Sequence, residues 1–177
     1  GRDIRRGEVG EDRSEGGGGG GLRYGGANND TVFGDAGEDT IAGQGGRDLV
    51  IGGDGEDVFT WRGPNDGRDT VSGGNQADTA QVNSSNSGNT LTVTQSTDDF
   101  LVITEGTGSL TIEQDVSHVE INAASGDDII TIGDLNNIVR TSLTINGETG
   151  NDTIDASNGV MNSLVIELNG GIGDDVI

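Results

Sequence analysis

Residues 25–60 read GGANNDTVF (25–33), GDAGEDTIA (34–42), GQGGRDLVI (43–51) and GGDGEDVFT (52–60), four blocks of nine in unbroken register. Trp61, Arg62 and Gly63 interrupt, and the register resumes as PNDGRDTVS (64–72) and GGNQADTAQ (73–81). The sixth position of every block is aspartate: Asp30, Asp39, Asp48, Asp57, Asp69 and Asp78. The eighth is apolar every time: Val32, Ile41, Val50, Phe59, Val71 and Ala80. Asn28 and Gln76 depart from the fourth-position glycine, and Pro64 and Asn65 from the opening pair. A short fixed period of this kind marks a repeat architecture, in which a unit buries its apolar residue only by stacking on its neighbours. Gly, Asn and Asp over the first six positions predict a turn, and the β-branched last three a short strand.

Downstream the same Gly-x-Asp-x-apolar core recurs at a longer period, in ASGDDIITI (124–132), GETGNDTID (147–155) and GGIGDDVI (170–177). Its aspartates are Asp128, Asp152 and Asp175. Between these turns lie LTVTQ (91–95), FLVITE (100–105), SLTIE (109–113), HVEIN (118–122), SLTIN (142–146) and LVIEL (164–168), which read as strands. No segment carries a helical period. Upstream, residues 1–24 hold five arginines, five acids and six consecutive glycines (16–21), a composition that predicts a charged, flexible tether. The expected organisation is therefore a tether over 1–24, a nonapeptide coil over 25–81 and a longer-period coil over 82–177.

Composition excludes several classes. Of 177 residues only 29% are hydrophobic and 3% aromatic, with 34 glycines and one proline, too little apolar material for an ordinary globular core. With no cysteine, neither disulfides nor thiolate metal sites supply the missing stability, whereas oxygen-ligated metals remain open. A formal charge of −22 repels nucleic acid and anionic membrane and attracts cations. No apolar run is long enough to span a membrane, and the first residues lack the apolar core of a signal peptide. Gly1 in place of an initiator Met reads as a processed product or a fragment.

The blocks at 25–81 resemble the RTX (repeats-in-toxin) or hemolysin-type nonapeptide, G-G-x-G-x-D-x-U-x. That resemblance implies an all-β, right-handed parallel β-roll. In it six-residue turns fall on alternate sides of a flattened coil, the eighth side chain points inward, and calcium is bound between turns stacked on one side. Residues 82–177 resemble the longer-coil β-helix regions found beside such repeats. The implied metal residues are Asp30, Asp39, Asp48, Asp57, Asp69, Asp78, Asp128, Asp152 and Asp175, with backbone carbonyls around Gly26, Gly37, Gly46, Gly55, Gly67, Gly126, Gly150 and Gly173. A nine-residue spacing on alternating sides stacks Asp30, Asp48 and Asp69 on one edge and Asp39, Asp57 and Asp78 on the other.

These residue types suit Ca²⁺, a hard cation that takes roughly six to eight oxygen ligands from carboxylates and carbonyls. One buried apolar side chain per block returns far less than the ordering of nine backbones costs, so folding should depend on the metal. Extracellular calcium modules bind weakly enough to be empty in the cytosol and filled outside it. The resemblance therefore implies an extracellular or cell-surface bacterial protein that is exported unfolded and folds on calcium. Its role would be structural, in an adhesin, matrix fibre or surface layer. The alternative is the calcium-binding region of a secreted toxin, protease or lipase.

No catalytic constellation competes. His118 is the one histidine and lies in an alternating strand, with no nucleophile turn nearby. The Asn29-Asp30-Thr31 and Asn151-Asp152-Thr153 glycosylation patterns sit inside the predicted turns, no segment matches an EF-hand loop, and the many acids read as ligands rather than paired hydrolytic carboxylates. Trp61 and Tyr24 are expected to cover the ends or edge of the coil. An open coil also exposes unpaired strand edges, so end-to-end stacking into a homo-oligomer or filament is expected, with the arginines of the first 24 residues meeting acidic repeats of a neighbour.

Overall fold

The computed structural model describes residues 3–139, 142–159 and 164–177. Its strands form two facing sheets of a β-solenoid. The first sheet runs through β1 (Ile4–Arg6), β3 (Leu22–Ala27), β5 (Thr40–Gly45), β7 (Val58–Trp61), β9 (Asp78–Asn83), β13 (Val116–Asn122), β15 (Ser142–Asn146) and β17 (Val165–Asn169). Every neighbouring pair in it is parallel. The second sheet begins with β2 (Arg13–Glu15), β4 (Thr31–Ala36), β6 (Leu49–Asp54) and β8 (Arg68–Asn75), also parallel. Successive blocks alternate between the sheets, as a nine-residue half-coil requires.

Each strand points its eighth-position residue into the space between the sheets. Val32, Ile41, Val50, Phe59, Val71 and Ala80 are all fully buried. Deeper in the solenoid two rows run side by side: Phe59, Ala80, Val119 and Leu143, and Trp61, Val82, Ile121 and Ile145. Trp61 thus lies inside the core, 1% exposed, and does not cover an edge. It follows Phe59 by two residues in an extended strand, so alternation turns it inward. The residues after it form a short 3-10 turn, Gly63–Asn65, and the coil widens from 18 to 21 residues around the indole. Gly108 makes room for it, since a Cβ there would sit 2.9 Å from Trp61 Cζ2. Tyr24 stays half-exposed on the outer face, with the Arg6 guanidinium 5.2 Å from its ring centre.

Residues 3–24 correct the expected tether. They are two further half-coils: β1 pairs with β3 through Ile4–Leu22, Arg5–Arg23 and Arg6–Tyr24, and β2 pairs with β4. The six glycines are the turn of a block GGGGGGLRY (16–24), stacked on the turn 34–39. Gly17 N–H donates to Asp35 Oδ2 (2.8 Å) and Gly21 N–H to Asp39 Oδ1 (2.6 Å). A glycine run is flexible alone, but its missing side chains let it lie against a formed coil, which supplies the partners its backbone needs.

The region 82–177 departs from an all-parallel coil. After β8 the second sheet continues through β12 (Gly108–Ile112), β11 (Leu101–Glu105) and β10 (Thr90–Gln95), and only then through β14 (Ile129–Ile132) and β16 (Thr153–Asp155). The β10–β11 and β11–β12 pairs are antiparallel. Gly106 and Thr107 alone join β11 to β12, with Gly106 at φ +57°. A two-residue link closes a hairpin and is far too short for a parallel crossover. Beyond this meander the solenoid resumes with coils of 24 and 23 residues.

Candidate metal centre

Turns that lead into the second sheet carry one column of aspartates, and turns that lead into the first carry another. In the first column Asp12 N–H donates to Asp30 Oδ1 (2.8 Å), Asp30 N–H to Asp48 Oδ1 (2.8 Å) and Asp48 N–H to Asp69 Oδ1 (2.9 Å). In the second, Gly21, Asp39 and Asp57 donate likewise to Asp39, Asp57 and Asp78 at 2.6–2.9 Å. Past the meander the first arrangement recurs, with Asn89, Asp128 and Asp152 donating to Asp128, Asp152 and Asp175. The nine aspartates singled out by spacing therefore fall into three ladders, each tying one coil to the next through Oδ1.

The second oxygen of these carboxylates is where a cation fits. Oδ2 of Asp30, Asp39, Asp48, Asp57, Asp78, Asp128 and Asp152 is buried and has no hydrogen-bond partner. At Asp30, Asp39, Asp57 and Asp152 the first-position glycine of the same turn lies beside it, with the carbonyl of the first-position residue one coil on. A Cβ at Gly25 would come 2.9 Å from Asp30 Oδ2 and 2.5 Å from Gly43 O. At Gly52 the Cβ would meet Asp57 Oδ2 and lie 2.6 Å from Gly73 O, and at Gly147 it would meet Asp152 Oδ2 and lie 2.5 Å from Gly170 O. Glycine is required here because a side chain would fill the space between carboxylate and carbonyl.

No three acidic, histidine or cysteine side chains converge among the described residues, so most ligands must be carbonyls. The donor set is all oxygen, as calcium requires. These first-position carbonyls (Gly43, Gly52, Gly73, Gly170) were not singled out from the sequence. Two of the carbonyls that were singled out make ladder bonds. Gly46 O and Gly67 O accept ladder bonds from Arg68 and Ser109 N–H, both at 2.9 Å. Gly26, Gly37, Gly46, Gly55, Gly67, Gly126, Gly150 and Gly173 all have φ between +89° and +155°, so their role in the turn is first conformational. Asn28 (φ +83°) and Gln76 (φ +77°) adopt the same left-handed backbone at the fourth position, so those substitutions keep the turn intact.

Packing carboxylates in dry columns opposes their ionisation. Burial raises the pKa of Asp30, Asp39, Asp57 and Asp128, and pushes Asp48 and Asp78 to about 6 and Asp69 to about 8, each further raised by neighbouring aspartates. A bound divalent cation would reverse this by favouring the ionised forms. One station has its own cation. Arg23 occupies the inward eighth position of the block 16–24 and is fully buried. Its Nη2 donates to Asp39 Oδ1 (2.9 Å) and Gly34 O (3.1 Å). The sequence signal for it was available: continuing the nine-residue register upstream of Gly25 places Arg23 where an apolar residue belongs.

Stacked half-coils with glycine-cradled carboxylates between the turns define a calcium-binding β-roll. The chain carries four copies of the RTX calcium-binding nonapeptide repeat, matched over residues 24–59, 65–83 and 144–160. These stretches are RTX repeats, and such repeats bind Ca²⁺. The matched stretches include Asp30, Asp39, Asp48, Asp57, Asp69, Asp78 and Asp152, and leave Asp128 and Asp175 outside. No curated protein matches the sequence.

Proposed function

We propose that this chain is a calcium-stiffened structural segment of an extracellular bacterial protein, an adhesin, matrix fibre or surface layer, which folds when it meets calcium outside the cell. The observation that carries this reading is the set of buried, partnerless Oδ2 atoms aligned in columns. Without a cation they leave desolvated charge beside charge, and with one they become cross-links between coils. Asp30, Asp39, Asp48, Asp57, Asp69, Asp78, Asp128, Asp152 and Asp175 supply the carboxylates, and turn carbonyls the remaining ligands. Calcium binding and folding are then one event.

The role is non-enzymatic. The buried repeat carboxylates sit in structural ladders, and His118 Nδ1 is hydrogen-bonded to Ser142 Oγ (2.7 Å). No described helix is long and apolar enough to cross a membrane. Head-to-tail stacking belongs to the same proposal: Arg5, Arg6 and Arg13 lie exposed on the first coils, and Glu167 and Asp174 on the last. Far-ultraviolet circular dichroism in chelator and in millimolar calcium tests the folding. At pH 7.5 coil in the first and β-structure in the second are expected, and a full β-spectrum in chelator at that pH would sink the reading. Sedimentation in millimolar calcium tests stacking, which a monomer at every concentration rules out.

A further inference from the structure

We propose that Asp115, which lies outside every nonapeptide, completes a further divalent-cation site with Asp78 where the second aspartate column leaves the repeats. This inference rests on the calcium reading of that column. On this edge the turns 16–21, 34–39, 52–57 and 73–78 stack in order, and the next strand to follow is β13, whose Val116 stands in register with Asp78. The link into β13 is only Glu113, Gln114 and Asp115, with no glycine turn at all.

That link nonetheless reproduces the station. Gly34 faces Asp39 Oδ2 and Gly52 O, and Gly52 faces Asp57 Oδ2 and Gly73 O. Gly73 faces Asp78 Oδ2 and, at 3.0 Å from its would-be Cβ, the backbone oxygen of Asp115. Asp115 therefore places its carbonyl where the next repeat would place that of its first glycine. It adds a carboxylate as well. Oδ2 accepts from Ser72 Oγ (2.7 Å) and Gly74 N–H (2.9 Å), which fixes the side chain against the turn. Oδ1 is buried and has no partner. Asp78, fully buried, also leaves Oδ2 without a partner, and Gly73 faces both that oxygen and the Asp115 carbonyl. Hydrogen bonding accounts for one oxygen of each carboxylate. The other two are buried acceptors with no donor, an arrangement that is costly unless a cation lies between them. All-oxygen ligands with two carboxylates suit an ion of the size and hardness of calcium.

Ions bound per chain at saturating calcium, counted by equilibrium dialysis, provide the test in wild type, Asp115→Asn and Ser72→Ala. Asp115→Asn keeps an acceptor for Gly74 and turns an uncharged amide toward the space; it should bind one ion fewer with an unchanged far-ultraviolet spectrum. Ser72→Ala removes only a hydrogen bond and should bind the wild-type number. An unchanged count in Asp115→Asn overturns the inference and leaves the calcium reading standing, whereas a wild-type chain that binds no calcium overturns both. Should Asp115→Asn fail to fold, anomalous scattering from wild-type crystals grown with Tb³⁺ in place of calcium decides. A peak about 2.3–2.6 Å from Asp115 Oδ1 and Asp78 Oδ2 supports the site, and peaks at the repeat stations with none there refute it.

Discussion

Acid should do part of the work of calcium. In the metal-free folded chain burial pushes Asp48 and Asp78 to about 6 and Asp69 to about 8, against an ordinary value of 3.8. The folded state then holds more protons than the unfolded state between about pH 4 and pH 8, so its stability falls as pH rises through that window and is greatest below it. Near pH 5 these three groups together hold about three extra protons, which corresponds to a slope of about 4 kcal/mol per pH unit. Asp48 alone, raised by about two units, contributes about 3 kcal/mol. The assay is far-ultraviolet circular dichroism and urea unfolding in buffers stripped of calcium by resin, at pH 4.5, 6 and 7.5. β-Structure should grow as pH falls, whereas the calcium midpoint measured at each pH should rise as pH falls, because bound calcium requires the ionised carboxylates. Asp48→Asn imitates the protonated group and should stabilise the calcium-free chain at pH 7.5. A metal-free chain that is most structured at neutral pH would refute the reasoning, since it would mean that the columns are not desolvated.

Gly52→Ala places a methyl between Asp57 Oδ2 and Gly73 O, so the calcium midpoint should rise about tenfold or more, while Gly45→Ala, whose Cβ meets nothing nearer than 3.7 Å, should leave it unchanged. Calorimetric titration of both compares them. Arg23→Leu removes the buried ion pair with Asp39 and the bond to Gly34 O and should lower calcium-loaded stability in urea unfolding by more than Arg13→Leu does at its exposed ion pair with Glu15, where about 1 kcal/mol or less is expected. Deleting residues 1–24 removes coils that cover Val32 and Ile41, so Tm in calcium should fall by several degrees, where loss of a loose tether would leave it unchanged.

Legibility followed locality. Each nonapeptide carries its own turn, its inward residue and its aspartate, so the columns Asp30–Asp48–Asp69 and Asp39–Asp57–Asp78 could be read from spacing. The hairpin at Gly106-Thr107 was not read: the runs 100–105 and 109–113 showed as strands, but a longer-period parallel coil was expected there, since alternation alone does not say which way two strands pair. The upstream half-coils were obscured by composition: a glycine run gives the same signal whether it lies free or stacked, and Ser14 and Arg23 break the apolar eighth position.

Sequence alone sufficed for the repeating unit: a glycine-rich turn, a short strand, an inward apolar side chain and an aspartate at a fixed place in the turn. Each of these follows from residues within nine of one another. Tertiary structure alone decided where that period stops mattering. It placed an antiparallel meander between two stretches of parallel coil, set Trp61 inside the core, and carried Arg23 to Asp39 and Asp115 to the turn of Gly74. The last of these pairs is 41 residues apart in the chain. No periodicity records such a distance, because the meander lies between the two residues and only the stacking of complete coils brings them together.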